Sequence, residues 1–386
     1  MATIECDVVI AGGGLSGGLI ALALAREHPE LNVMLIEKQE LVGGNHIWSF
    51  FANDVDPAHR WLTAPLVTYG WSGHDVRFPA HSRTLKGLYY SAESERLDWL
   101  VRRNLRADRL LTGRKILACS PRSAILDDGT RIEAQAVIDT RGPADLNTLE
   151  CGWQKFVGQV LEVDEPHGMK HPIIMDATVT QHDGYRFIYC LPFSPNRLFV
   201  EDTYYSDGSD LDEMTLRARI AEWTQRAGLK GARVVREEKG VLPVVIGGDF
   251  ERYWTSGGAR VPKAGVRGGF FHPLTSYSLP DAARTAIAIA NGRDFGAQAL
   301  HDRLKAMADA HWQSGKFYRT LGRMLFQAGE PDQRYRIFER FYTLSESLIG
   351  RFYAGRTSAS DKLRILSGKP PVPITGAIRA IGSGKR

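Results

Sequence analysis

The feature that most constrains this chain is a cluster of glycines, AGGGLSGG, placed directly after the β-branched apolar run from Ile4 to Ile10. Gly12, Gly14 and Gly17 stand in G-x-G-x-x-G spacing. Behind them LSGGLIALALAR, Leu15 to Arg26, has helical periodicity with small residues where a helix presses on a sheet. NVMLIE, Asn32 to Glu37, is a second short strand. Together these make a βαβ unit, and in that setting each glycine has a physical task. The first permits the tight turn, the second lets backbone approach a pyrophosphate, and the third allows close packing of helix on strand. The N–H groups of the turn, Gly13 and Ser16 included, and the helix dipole meet phosphate charge.

Glu37 closes the second strand, where a carboxylate accepts hydrogen bonds from the hydroxyls of an unphosphorylated ribose. The fingerprint by itself leaves FAD and NAD both open. Two features favour FAD: the motif opens the chain, and a second glycine-rich stretch, GVRGGFFHPLTSYSLPDAAR, returns about 250 residues later. A flavin dinucleotide is long enough to need both. In the return, Gly269, His272 and Pro273 precede a helix whose N-terminus either faces the flavin or its phosphates, or is an ordinary capped turn.

At 386 residues, with 43% hydrophobic and 24% charged, the chain is globular and long for one domain. The first lobe, expected to bind FAD, covers 1–150 with a small insertion near 50–90. A β-rich substrate domain follows over 151–262, a return to the first lobe over 263–297, and a helical region over 298–386. The Pro- and Gly-rich basic end of the chain reads as loosely held. Four scattered cysteines without CxxC spacing indicate neither a metal site nor a redox pair, and fit a reducing cytoplasm. A net charge of +5 is too small to imply nucleic acid. The N-terminal apolar run ends in glycines, which argues against a leader or a membrane span and leaves peripheral membrane contact.

Lys316 to Arg364 carries ten Lys and Arg against five Asp and Glu, and is rich in Phe and Tyr. Such a stretch either docks on anionic lipid or is a solvated helical face with its aromatics in the core.

GGNHIWSF, VRFPAHSRTL, VIDTRGP, WQKFVGQ, PIIMDATVTQHDGYRFIYCLPF and FVEDTYYSD, followed by the glycine-rich return, stand in the order found in the bacterial lycopene β-cyclases, which this chain resembles over most of residues 4 to 290. The resemblance implies an α/β, two-domain flavoprotein: a Rossmann-like FAD-binding domain of p-hydroxybenzoate-hydroxylase type with an inserted β-sheet substrate domain and C-terminal helices. It implies conversion of lycopene and other acyclic-end carotenoids to β-ring products, with FAD active in its reduced form, NADPH as reductant and no net redox change. It puts the catalytic carboxylate at Glu201, with Asp202 beside it. It also implies that Arg96 and Arg141 approach the FAD phosphates, although each residue alone reads equally well as a surface arginine. Ile47, Thr140 and Ser276 depart from the pattern, which expects Thr, Ala and Gly.

The residues give Glu201 a separate rationale. Ring closure of an acyclic polyene end needs an acid to protonate the terminal double bond, then a base to take a proton from the ring cation. A carboxyl desolvated among Phe199, Tyr204 and Tyr205 stays protonated near neutral pH. Strand alternation sends Asp202 to the other face, which leaves it a supporting role. Arg186 either steadies a carboxylate or sits in a surface ion pair. An FAD-dependent monooxygenase or prenyl reductase, and a non-catalytic carotenoid or flavin carrier, are the competing readings. The sequence leaves the oligomeric state open.

Overall fold

The computed structural model describes residues 3–367. The Pro- and Gly-rich basic end expected to be loosely held lies outside the described residues. Two sheets are built from strands β1 (Thr3–Ala11), β2 (Val33–Ile36), β3 (Ile47–Phe51), β4 (Tyr69–Arg77), β5 (Ser82–Glu93), β6 (Leu110–Leu111), β7 (Ile116–Cys119), β8 (Ser123–Leu126), β9 (Arg131–Asp139), β10 (Leu149–Glu162), β11 (Ile173–Asp176), β12 (Tyr185–Ser194), β13 (Arg197–Ser206) and β14 (Arg233–Gly248). The first runs β6-β2-β1-β9-β8-β7 and the second β14-β10-β13-β12-β11-β4-β5-β3.

In the first sheet β1 lies parallel to both β2 and β9. Val8, Val9, Ile10 and Ala11 are wholly buried, as a central parallel strand covered on both faces requires. Helix α1 (Leu15–Glu27) leaves the glycine turn, and the later segments α2 (Arg60–Thr63), α3 (Ser94–Asn104), α4 (Glu213–Arg226), α5 (Phe250–Thr255) and α6 (Leu279–Ala290) complete both lobes. α1 and α6 pack on each other. Their buried alanines, among them Ala21, Ala23, Ala282 and Ala286, permit the close approach, so the glycine-rich return rejoins the first lobe through a helix–helix contact.

The stretch expected as a small insertion near 50–90 supplies β3, β4 and β5 to the second sheet, where β4 runs parallel to β11. Val76, Leu85 and Tyr89 from this stretch share a core with Val160, Phe187 and Phe199. A three-stranded meander could not cover that apolar face alone.

Helices α7 (Ala297–Ser314), α8 (Lys316–Ala328), α9 (Tyr335–Phe341), α10 (Glu346–Tyr353) and α11 (Ala359–Leu366) follow. Tyr318, Phe326, Tyr342, Phe352 and Tyr353 are buried in the second core, so these aromatics of the basic stretch hold the helices to the sheet and do not form a lipid-facing row. Exposed apolar residues in this region are Leu363 and Leu366 on α11. Among the described residues no helix is long and apolar enough to cross a membrane.

Candidate active site

Gly12 turns the chain out of β1 at φ +106, and a Cβ at Gly17 would stand 2.0 Å from the Gly12 carbonyl oxygen. Any side chain there would push α1 off the turn. Thr140, one of the departures from the family pattern, pins this loop: its Oγ1 donates to the carbonyls of Ala11 (3.0 Å) and Gly12 (2.7 Å). The Glu37 carboxylate accepts from the N–H of Gly13 (2.7 Å) and Gln39 (2.9 Å), which holds it at the end of β2.

Three observations show that this turn fits a dinucleotide. Helix α1 begins at Gly14 with no side-chain cap. A Cβ built at Gly14 would meet nothing within 4 Å. The buried Ser16 hydroxyl has no hydrogen-bond partner among the described residues. Free helix N–H groups, open space before them and an orphaned hydroxyl together make an anion cradle.

A cleft of about 1150 Å³ joins this cradle to the second sheet; it is lined by Gly12, Gly14, Ser16 and Glu37 at one end and by Phe187, Tyr189, Glu201 and Tyr205 at the other. Glu201 lies on β13, in register with Tyr189 of β12 and Gly158 of β10. Its side chain is buried and accepts a short hydrogen bond from the Thr203 hydroxyl. Burial pushes its carboxyl up to about 8; the Thr203 hydrogen bond opposes that rise and Asp202 adds to it. A carboxyl so placed carries its proton at neutral pH.

Asp202 points to the opposite face of β13. Arg186 grips it there, with Nε 3.0 Å from Oδ1 and Nη2 2.6 Å from Oδ2, and both side chains are buried. Of the two roles left open for Arg186 the first holds: it steadies a carboxylate, that of Asp202, and the pair is interior and not on the surface. Asp202 is therefore not brought to the cleft.

The expected cofactor residues divide in the same way. Arg141 lines the cleft, but its guanidinium is engaged by Asp139, at 2.9 Å from Nε to Oδ1 and 2.9 Å from Nη2 to Oδ2. Arg96 lies elsewhere, donating to the Pro65 carbonyl at 2.8 Å and covering the Trp99 ring. His272, Pro273 and Gly269 stand behind the lining, which is formed by Thr275, Ser276, Tyr277 and Ser278. The His272 Nδ1 accepts from the N–H of Leu274 (3.3 Å) and Thr275 (3.2 Å), and burial lowers its pKa to about 4, so a neutral imidazole closes this turn. Ser276 has φ +57, a conformation that favours glycine, which explains why the family pattern expects glycine there. Its hydroxyl donates to the Pro243 carbonyl at 2.8 Å and helps hold the strained turn.

Sequence reasoning missed Glu238. It sits in the charged run VREEKG, which reads as a solvated edge, yet it is buried on β14 and lines the cleft. Ile47 N–H donates to its Oε2 at 2.9 Å. Strand alternation that separates Glu237 from Glu238 was the available signal, but nothing in the run says which of the two turns inward. Also missed was a phenol chain: Tyr89 bonds both Tyr189 (2.8 Å) and Tyr277 (3.2 Å), and Tyr189 donates to Ser49 (2.8 Å).

The fold has known counterparts. Among solved structures, a geranylgeranyl bacteriochlorophyll reductase-like protein from Thermoplasma acidophilum is similar with a TM-score of 0.65 at 12% identity, over 99% of this chain and 100% of that one. A probable FAD-dependent monooxygenase from Pseudomonas aeruginosa is similar with a TM-score of 0.57 at 18% identity, over 88% and 100%. The expected two-domain α/β flavoprotein fold is thus present. In sequence, the chain is 43% identical to the lycopene beta-cyclase of Pseudescherichia vulneris, covering 97% of this chain and 96% of that protein. It is 44% identical to that of a Paracoccus strain, covering 97% of each. The profile described as "Lycopene cyclase protein" matches residues 7–379, and the chain belongs to that family.

Proposed function

We propose that this chain is a lycopene β-cyclase that binds FAD and closes the acyclic ends of lycopene, by way of γ-carotene, to β-carotene. The single observation that carries the reading is Glu201: a buried carboxyl, its pKa pushed up by that burial, facing a cleft shared with a dinucleotide cradle. Glu201 gives its proton to the terminal double bond. Tyr189, Tyr205 and Phe187 line the cleft with it, an aromatic setting that favours the resulting cation and keeps water from quenching it. Asp202 acts from behind, through the buried ion pair that fixes β13.

The cradle of Gly12, Gly13, Gly14, Ser16 and Gly17 would take the FAD pyrophosphate on backbone N–H groups, with Glu37 placed to meet the ribose. Arg141 and the turn closed by Gly269, His272 and Pro273 shape the walls, and Arg96 stands further out. A flavin bound there and reduced by NADPH would supply negative charge that favours the cation, with no electrons exchanged overall. Substrate reaches the protein from the cytoplasmic face of the membrane, because a C40 hydrocarbon partitions into the bilayer. Leu363 and Leu366, exposed on α11 beside Lys362 and Arg364, have the chemistry for that peripheral contact.

The test is expression in a lycopene-accumulating bacterial host followed by pigment chromatography. The intact chain is expected to give bicyclic β-carotene, and Glu201→Gln to leave red lycopene. A monooxygenase or reductase would instead consume NADPH in step with product, and a carrier would be indifferent to Glu201→Gln.

A further inference from the structure

We propose that Glu238 is the second catalytic carboxyl of this cleft: in its ionised form it takes the proton that the closed ring cation gives up, while Glu201 supplies the first. This rests on the cyclase reading above. Gly158 of β10 is in register with Glu201 on one side and with Glu238 on the other. Residues opposed in antiparallel register share a face, so the two carboxylic acids flank one glycine, with Cα atoms about 10 Å apart across two strand spacings. A Cβ at Gly158 would stand 2.2 Å from Cζ of Phe199, so an aromatic ring floors the gap between the acids. Both line the cleft.

Their partners differ in kind. Glu238 accepts from a fixed backbone N–H, that of Ile47, and lies in the field of Arg236, both of which favour a carboxylate. Glu201 has only the rotatable Thr203 hydroxyl. Burial raises both groups, Glu238 well above its ordinary value, and the charge of Glu201 raises Glu238 further, so the pair resists double ionisation. Where one of the two is ionised, the Ile47 N–H and Arg236 hold the charge at Glu238.

The balance then closes. The O–H bond of Glu201 breaks and its proton bonds to the terminal alkene, leaving a tertiary cation. A second double bond of the chain attacks that carbon, and the cation moves into the new ring. The C–H bond at the ring carbon bearing the polyene breaks; its electron pair becomes the ring double bond and its proton bonds to Glu238. Each ring closed takes one proton from Glu201 and returns one to Glu238, no electron is gained or lost, and exchange of both carboxyls with water between turnovers resets the site. Protonation and deprotonation occur at different carbons, and two separated carboxyls serve both without turning the substrate.

The experiment uses the FAD-loaded protein, reduced, with lycopene in liposomes, reading kcat against pH and the double-bond position of the products by chromatography and absorbance. Wild type is expected to show a bell-shaped profile. For Glu238→Gln with flavin retained, kcat is expected to fall about 10²–10⁴-fold, the acidic limb to vanish, and residual product to carry its ring double bond out of conjugation. Glu238→Asp is expected to recover part of the rate. The proposal is overturned if Glu238→Gln keeps the wild-type rate and profile, or loses rate while keeping the acidic limb and a fully conjugated product. Should that variant lose its flavin, wild type decides alone: an acidic limb supports the pair, and a rate that stays level towards low pH overturns it. A wild-type protein that forms no ring at all would sink the cyclase reading, not the pairing.

Discussion

Glu201 and Asp202 are neighbours on one strand, both buried and both acidic, yet they sit in opposite settings. Asp202 faces the core behind the sheet, where Arg186 meets it with two nitrogens. Burial raises its carboxyl and the guanidinium opposes that rise. Glu201 faces the cleft with no cation against it, and burial leaves its proton in place. One face of β13 holds its acid in a buried ion pair, and the other turns its acid to the cleft, where the proposed chemistry would use it. The difference is made by alternation and one arginine, not by the residue type.

The comparison can be broken from either side. Glu201→Gln is expected to lower ring formation about 10²–10⁴-fold with flavin content and melting temperature nearly unchanged, measured on the purified holoprotein. Asp202→Asn is expected to do the reverse, costing about 3–5 kcal/mol of stability in denaturant unfolding by leaving Arg186 buried and uncompensated, while whatever folds keeps the wild-type pH profile. A third test is pH. The folded pKa of Glu201 is raised, so the protonated reagent is present at low pH and is lost as pH rises through about 8. The rate should therefore fall about tenfold per pH unit above that value, a limb absent in Glu201→Gln. The stability Glu201 contributes follows the same sign: full below its unfolded pKa of about 4.5 and lost by about 8. The smallest effect is expected for Thr203→Val, which removes the hydrogen bond opposing the rise and should move the alkaline limb upward with only a few-fold change in rate.

What the sequence revealed follows from how local each feature is. The cradle is written in consecutive residues, because a glycine turn, its helix and Glu37 lie within one βαβ unit, and the structure keeps them together. Glu201 was legible through its motif and its aromatic neighbours. Glu238 was not, because its position opposite Glu201 is set by the register of β10 against two strands far apart in the chain. The same reason hid the role of residues 47–93: pairing of β4 with β11 joins segments that no local pattern connects. Arg96, placed from analogy, is turned to the Pro65 carbonyl by contacts that its own sequence window does not show.

The central claim is that a proton from the protein enters each new ring and that the reaction is otherwise neutral. The direct measurement is mass spectrometry of the carotenoid formed in deuterated water by the reduced holoprotein, with NADPH followed in parallel. The account predicts one deuterium fixed in every ring closed and no NADPH consumed beyond that needed to reduce the flavin. Rings without deuterium, or NADPH oxidised in proportion to product, would contradict it.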